Sequence, residues 1–136
     1  MTRYLIGTGG WAYFHIPGLN SLEAYSKIFN FAEVNSTFYR LLNLKMVESW
    51  RRRVPPDFEF SVRLNRAVTH KHKMEPNEES LRIIGYTVQI CKILGSKTIV
   101  IQTPETIEYN NEKAKAIETL WKPKPGRVKD RMGNKK

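Results

Sequence analysis

The segment Glu33–Arg40 places several chemically active side chains within a short stretch of the chain. It contains a carboxylate, an amide, hydroxyls, a phenol and a guanidinium, and it has no Gly or Pro. Glu33 is its only carboxylate and is the candidate general base. His70, further along the chain, is the candidate proton donor or anion-binding group. Such a mixture is atypical of a buried core, and we interpret it as part of a site.

A strand leads into this segment. In residues 31–35, Ala32 and Val34 share one face and Glu33 and Asn35 share the other, because side chains alternate along a strand. Apolar periodicity predicts four strands, at residues 3–7, 31–35, 58–64 and 97–102. Four helices are predicted between and after them, at residues 21–29, 45–53, 78–94 and 111–121. This alternation predicts an α/β fold with a parallel sheet built from right-handed βαβ units.

Ligands of parallel α/β folds bind at the carboxyl ends of the strands. All four predicted strand ends are polar or rich in glycine. The sequence therefore predicts a ligand-binding set at this edge of the sheet: Gly9, Trp11, Tyr13, Asn35, Thr37, Tyr39, Arg40, Arg63 and Gln102. Arg40, Arg63 and His70 against one carboxylate, Glu33, indicate an anionic or polyol-type small molecule. The pattern does not decide between binding and turnover.

The glycine-rich loop after the first strand allows other interpretations. Residues 7–12 match the G-x-G-x-x-[GA] pattern of dinucleotide-binding folds. That mechanism requires a helix to begin at the loop, whereas aromatic residues and Pro17-Gly18 follow here. Two other interpretations of this loop are open: a turn that has no role in ligand binding, and a loop that lines a pocket. No cofactor is indicated, and we expect no metal because Lys71 and Lys73 flank the histidines at 70 and 72.

Composition limits the classes of protein. The chain has 136 residues and a net charge of +10, and residues 113–136 carry nine of its 23 basic residues. We expect one domain over residues 1–121 and a basic, disordered tail over residues 122–136. The body gives little support for a nucleic-acid partner. No stretch is apolar for long enough to be a membrane span or a signal peptide. With the single Cys91, this predicts a cytoplasmic protein.

The motifs resemble one known family. Its pattern is found in Gly7-Thr8-Gly9-Gly10-Trp11-x-Tyr13, Glu33-x-Asn35-Ser36-Thr37-Phe38-Tyr39-Arg40, Trp50, Phe58-x-Phe60-x-Val62-Arg63, Thr69-His70, Gly95 and Val100-Ile101-Gln102-x-Pro104. Over about residues 4–105 the chain is similar to the YecE-like family, known as domain of unknown function 72. The resemblance implies a TIM-barrel fold and supplies no reaction, because the activity of the family is not established.

Two departures from the family pattern affect these expectations. Arg63 stands where the family usually has Lys, and Arg does not supply a deprotonatable amine. The chain also holds only about four βα units, which predicts half of a TIM-barrel-like fold with two exposed sheet edges. Self-association, or pairing with a partner chain through these edges, is therefore an alternative function. A truncated, inactive gene product is another, and nucleic-acid contact through the basic tail is a weaker one.

Overall fold

The computed structural model describes residues 2–122, so the predicted tail from residue 123 onward lies outside the described residues. Four parallel strands form one sheet in the order β1-β2-β3-β4. The strands are β1 (Gly7–Gly9), β2 (Phe31–Val34), β3 (Glu59–Arg63) and β4 (Thr98–Val100). The α-helices are α1 (Ser21–Ser26), α2 (Leu44–Arg53), α3 (Glu78–Leu94) and α4 (Asn111–Trp121). The predicted alternating α/β fold with a parallel sheet is confirmed.

An asparagine begins each of the four α-helices. The side chains of Asn20, Asn43, Asn77 and Asn110 each accept hydrogen bonds from backbone N–H groups of the first turn. This N-cap satisfies donors that have no partner inside the helix, and it fixes where each helix starts. The structure confirms the predicted bounds of α3, which ends at Gly95 with a left-handed φ of 67°.

The first strand differs from the prediction. Residues 3–7 were the expected strand, whereas the regular ladder covers Gly7–Gly9. The side chain of Asn30 explains the difference, because it forms hydrogen bonds with the backbone of Tyr4 and Ile6 that a neighbouring strand would otherwise form. Its Oδ1 accepts from the Ile6 N–H at 2.7 Å, and its Nδ2 donates to the Tyr4 carbonyl at 2.8 Å. Residues 3–6 therefore follow the sheet without joining its regular hydrogen-bond ladder.

The two faces of the sheet have different chemistry. Ala32, Val34, Phe60 and Val62 are buried on the face that packs against the helices. The register aligns Glu33 with Ser61 and places Arg63 two residues further along β3, so these polar side chains share the opposite face. A second apolar cluster joins α3 and α4 to the segment after β3. The polar side chains of the central strands therefore lie on the face of the sheet opposite to the apolar core.

Candidate functional site

A 3₁₀ turn, Ser36–Phe38, follows β2 and carries the centre of the segment singled out by the sequence. Thr37 is buried in this turn, and its hydroxyl lies 2.6 Å from the Arg63 carbonyl and 3.1 Å from the Val34 carbonyl. The Asn65 Nδ2 donates to the Thr37 carbonyl at 3.0 Å. The predicted ligand-binding residue Thr37 therefore joins the ends of β2 and β3, and its hydroxyl bonds to the main chain.

Phe38 is the centre of the strand-end cluster. The Arg63 Cζ lies 3.8 Å from the centroid of its ring, in the geometry of a cation–π contact. The His70 ring meets it edge-on at 5.3 Å between centroids, and the Tyr39 ring does so at 5.0 Å. Sequence reasoning missed Phe38, although an apolar aromatic inside a polar segment was a signal. Its ring brings together three of the predicted site residues.

The guanidinium of Arg63 has both satisfied and unsatisfied donors. Its Nη2 donates to the Gln102 Oε1, which connects the ends of β3 and β4. Its Nε is buried and has no hydrogen-bond partner. The Oδ1 of Asn35, at the end of the neighbouring strand, is also buried and unpaired. Among the buried side-chain atoms of residues 2–122, the only other unpaired nitrogen or oxygen is the Ser80 Oγ. An unpaired donor and an unpaired acceptor thus lie on adjacent strand ends.

A π-helical turn, Ala67–Lys71, carries His70. Such turns are rare in proteins, and many of those that occur lie at functional sites. The buried Thr69 hydroxyl lies 2.8 Å from the His70 Nδ1, which leaves Nε2 as the ring nitrogen available to a ligand. Hydrogen bonds from His72 and Lys71 hold the pKa of the Glu79 carboxyl below its ordinary value. These bonds attach the turn to the first residues of α3.

Glycine at position 9 makes room for Asn35. A Cβ atom at this position would lie 2.5 Å from the Asn35 Nδ2, which is closer than side chains tolerate. The next residue, Gly10, donates its N–H to the Glu33 carbonyl at 3.0 Å. Gly9 therefore shapes the site by the absence of a side chain, and any ligand contact at this residue comes from its backbone.

The structure does not bring the two predicted catalytic residues into contact. Within residues 2–122, no hydrogen bond or ion pair involves the Glu33 carboxylate. Glu33 lies on the polar face of the sheet and points away from the apolar helix side, whereas His70 packs against Phe38. A direct Glu33–His70 proton relay is therefore absent from the described part of the chain.

Four residues of the predicted ligand-binding set, Trp11, Tyr13, Tyr39 and Arg40, do not lie together in the structure. The Trp11 ring packs edge-on against Trp50 at 5.0 Å and against Phe60 at 6.1 Å. Phe60 belongs to the core between the sheet and the helices, so Trp11 contributes to that core and not to the strand-end cluster. Tyr13 is fully exposed, and both Tyr39 and Arg40 are exposed. Tyr39 alone of these four contacts the Phe38 ring.

Residues 2–122 contain no group of three or more His, Cys, Asp or Glu residues arranged to hold a metal ion. None of the helices formed within that range has the length and apolar character needed to cross a bilayer. The lone Cys91 is buried, and burial raises the pKa of its thiol.

With this geometry established, comparison with known proteins identifies the family. The profile of the family described as "Protein of unknown function DUF72" matches residues 5–128. The chain belongs to the DUF72 family. The resemblance expected over about residues 4–105 is confirmed, and the match also extends to residue 128, into the segment that was expected to be a basic tail.

Individual DUF72 relatives match parts of the chain. A 54-residue segment, 40% of this chain and 20% of the relative, is 35% identical to the UPF0759 protein YecE of Escherichia coli K12. The crystal structure of a DUF72 protein from Enterococcus faecalis superposes with a TM-score of 0.65 at 15% identity, over 83% of this chain and 44% of that one. The structure of a DUF72 protein from Thermotoga maritima superposes with a TM-score of 0.63 at 22% identity, over 85% of this chain and 50% of that one.

The solved DUF72 structures establish the fold of this chain. They are TIM-barrel-like, and the four βα units superpose on part of such a barrel. The chain spans about half the length of the solved structures it matches, and the segment matched in YecE spans a smaller share. The family is uncharacterised, and no specific reaction comes with it.

Proposed function

We propose that the carboxyl ends of β2, β3 and β4 bind a small ligand that carries an anionic group, hydroxyl groups, or both. The observation that supports this most directly is the pair of buried, unpaired atoms, Arg63 Nε and Asn35 Oδ1. A buried polar atom without a partner costs about 1–3 kcal/mol, so such atoms are rare without a role. A ligand that accepts from Arg63 and donates to Asn35 would satisfy both.

Each side chain of the cluster has a chemical role in this proposal. Arg63 supplies a permanent positive charge, because a guanidinium stays protonated at all relevant pH values. His70 offers its Nε2 as a second donor or acceptor near the same aromatic ring. Asn35 and Glu33 offer oxygen atoms that accept hydrogen bonds from hydroxyl groups. This division favours a ligand with an anionic end near Arg63 and hydroxyls toward β2.

Turnover would require a proton acceptor, and Glu33 is the residue of the site that fits this role. Its carboxylate is not committed to another side chain of residues 2–122, so it remains able to accept a proton from a bound hydroxyl. His70 would act on a different part of the ligand. The activity of the whole protein also depends on what packs against the polar face of the sheet. A cytoplasmic location is part of this proposal and agrees with the single buried Cys91.

A binding experiment can separate the two chemical components of the ligand. The ¹⁵N-labelled chain is titrated with acetate (an anion), sorbitol (a polyol) and gluconate (both), and backbone amide shifts are followed. We expect gluconate to bind more tightly than either simpler compound, with shifts centred on residues 35–40, 63 and 70. Arg63→Gln should weaken acetate and gluconate binding by about tenfold, because a charge-assisted hydrogen bond is lost.

Matched variants show whether the effect is local. Arg52 is exposed on α2, so Arg52→Gln removes the same charge far from the strand ends and should leave binding unchanged. Glu33→Gln should weaken sorbitol and gluconate while sparing acetate. Shifts confined to other surfaces, or an Arg63→Gln variant that binds all three compounds as the unmodified chain does, would refute the proposal.

A further inference from the structure

Within residues 2–122, each outer strand of the sheet is paired on one side only, and its other side is a free edge. The Leu64 N–H donates to the Val100 carbonyl at 2.9 Å, so Val100 directs its backbone groups toward β3. Successive strand residues direct these groups to opposite sides, and Ile99 and Ile101 therefore face the free side of β4. By the same reasoning, the bond from Gly10 N–H to the Glu33 carbonyl directs Gly7 and Gly9 to the free side of β1.

Apolar side chains lie beside these edges. Several exposed large apolar residues of the described chain are close in sequence to these strands: Tyr4, Leu5 and Ile6 directly precede β1, and Ile101 directly follows β4. Ile6, Ile28 and Phe29 line a shallow groove next to β1. Exposed apolar surface concentrated at unpaired strand edges is typical of an association surface.

The geometry of the half barrel determines how such an association would close. The four units superpose on about half of a closed TIM-barrel-like structure, so the sheet already has barrel curvature. A two-fold axis along the barrel would place β4 of each copy beside β1 of the other copy. The paired strands would be parallel at both of these junctions. The same rotation would bring the segment that follows β4 of one copy toward the groove at Ile6 and Ile28 of the other.

We infer that two copies of this chain associate through these edges into an eight-stranded, two-fold symmetric barrel. The partner copy would face the polar side of the sheet, and it would bring a second set of strand ends to the same mouth. In this arrangement the strand ends of the partner copy would face Glu33 and Arg63 across the mouth of the barrel. This interaction surface does not depend on the ligand proposal.

The oligomeric state of the 136-residue chain and two variants tests the inference. Light scattering after size-exclusion chromatography should give twice the chain mass for the unmodified protein. Ile101→Lys places a charge at the free edge of β4 and should shift the protein to monomer. Leu41→Lys is the matched control, because Leu41 is 40% exposed and Ile101 is 39% exposed, but Leu41 lies away from both edges. It should remain a dimer.

The possible outcomes are distinct. A monomeric unmodified chain refutes the inference. Larger open assemblies, or a dimer that persists in Ile101→Lys, also contradict closure through β4. Circular dichroism melting of all three proteins separates a lost interface from a lost fold, and Ile6→Lys tests the β1 edge independently if Ile101→Lys unfolds. The gluconate titration keeps the two proposals separate, because a dimer without shifts refutes only the ligand proposal and a monomer with shifts refutes only this interface.

Discussion

The contact between Arg63 and Phe38 shows how one residue can set the electrostatics of the site. The centroid of the Phe38 ring lies 3.8 Å from the guanidinium carbon of Arg63. The face of the ring stabilises the cation, so the guanidinium holds its position without a carboxylate partner. A carboxylate would have neutralised the field that an incoming anion experiences. The amide of Gln102 instead fixes the orientation of the guanidinium and leaves its charge intact.

A second arginine has a structural role. Arg51, in the last turn of α2, donates to the carbonyls of Phe58 at 3.1 Å, Leu94 at 2.8 Å and Pro55 at 2.6 Å. Its guanidinium also lies 5.5 Å from the ring of Phe60. One side chain therefore connects the end of α2, the start of β3 and the end of α3, where carbonyl groups have no helical partner.

We expect Arg51→Ala to lower the free energy of unfolding by about 2 kcal/mol, because three carbonyl groups lose a charged donor. The adjacent Arg52 is exposed, and Arg52→Ala should change stability by less than about 0.5 kcal/mol. Urea denaturation followed by circular dichroism measures both values. Equal effects of the two substitutions would mean that Arg51 acts only through its charge at the helix end.

At the scale of elements, α3 has one glycine inside it and one directly after it, and the two have opposite conformational requirements. Gly95 ends the helix with a φ of 67°, a conformation that costs an L-residue about 1–2 kcal/mol. Gly85 lies inside the helix, and a Cβ atom there would meet nothing within 4 Å. The first glycine is required by the backbone, whereas the second only adds conformational freedom to the unfolded chain.

We therefore expect Gly95→Ala to destabilise the protein by about 1 kcal/mol and Gly85→Ala to stabilise it by about 0.5–1 kcal/mol. Thermal unfolding of the two variants beside the unmodified chain provides the measurement, and the two shifts should have opposite signs. Destabilisation by Gly85→Ala would indicate that the surface of α3 at this position is covered in solution.

Elements with a strong local signal could be predicted from the sequence, and α3 is the best example. Its apolar period, its N-cap asparagine and its terminal glycine all act within a few residues. The turns Ser36–Phe38 and Ala67–Lys71 were not predicted, because contacts distant in sequence hold them, such as Asn65 with Thr37. The same reason explains the missed Phe38, whose partners Arg63 and His70 come from other strand ends.

At the scale of the molecule, the central strands and the outer strands of the sheet differ in how they are paired. Both sides of β2 and β3 are paired within the chain, and their apolar residues are buried under the helices. Only one side of β1 and of β4 is paired within the described residues. The centre of the sheet can therefore be stable in one copy, whereas its two edges depend on what binds them.

Hydrogen exchange at two protein concentrations should detect this difference. The amides of Gly7, Gly9, Ile99 and Ile101 face the free edges, so in a dimerising chain their exchange should slow as the concentration rises. The amides of Ser61 and Val62 lie between paired strands and should exchange at the same slow rate throughout. Edge amides whose rates do not depend on concentration would mean that no second copy binds there. Slowing at only one edge would also contradict the two-fold arrangement, since closure engages β1 and β4 together.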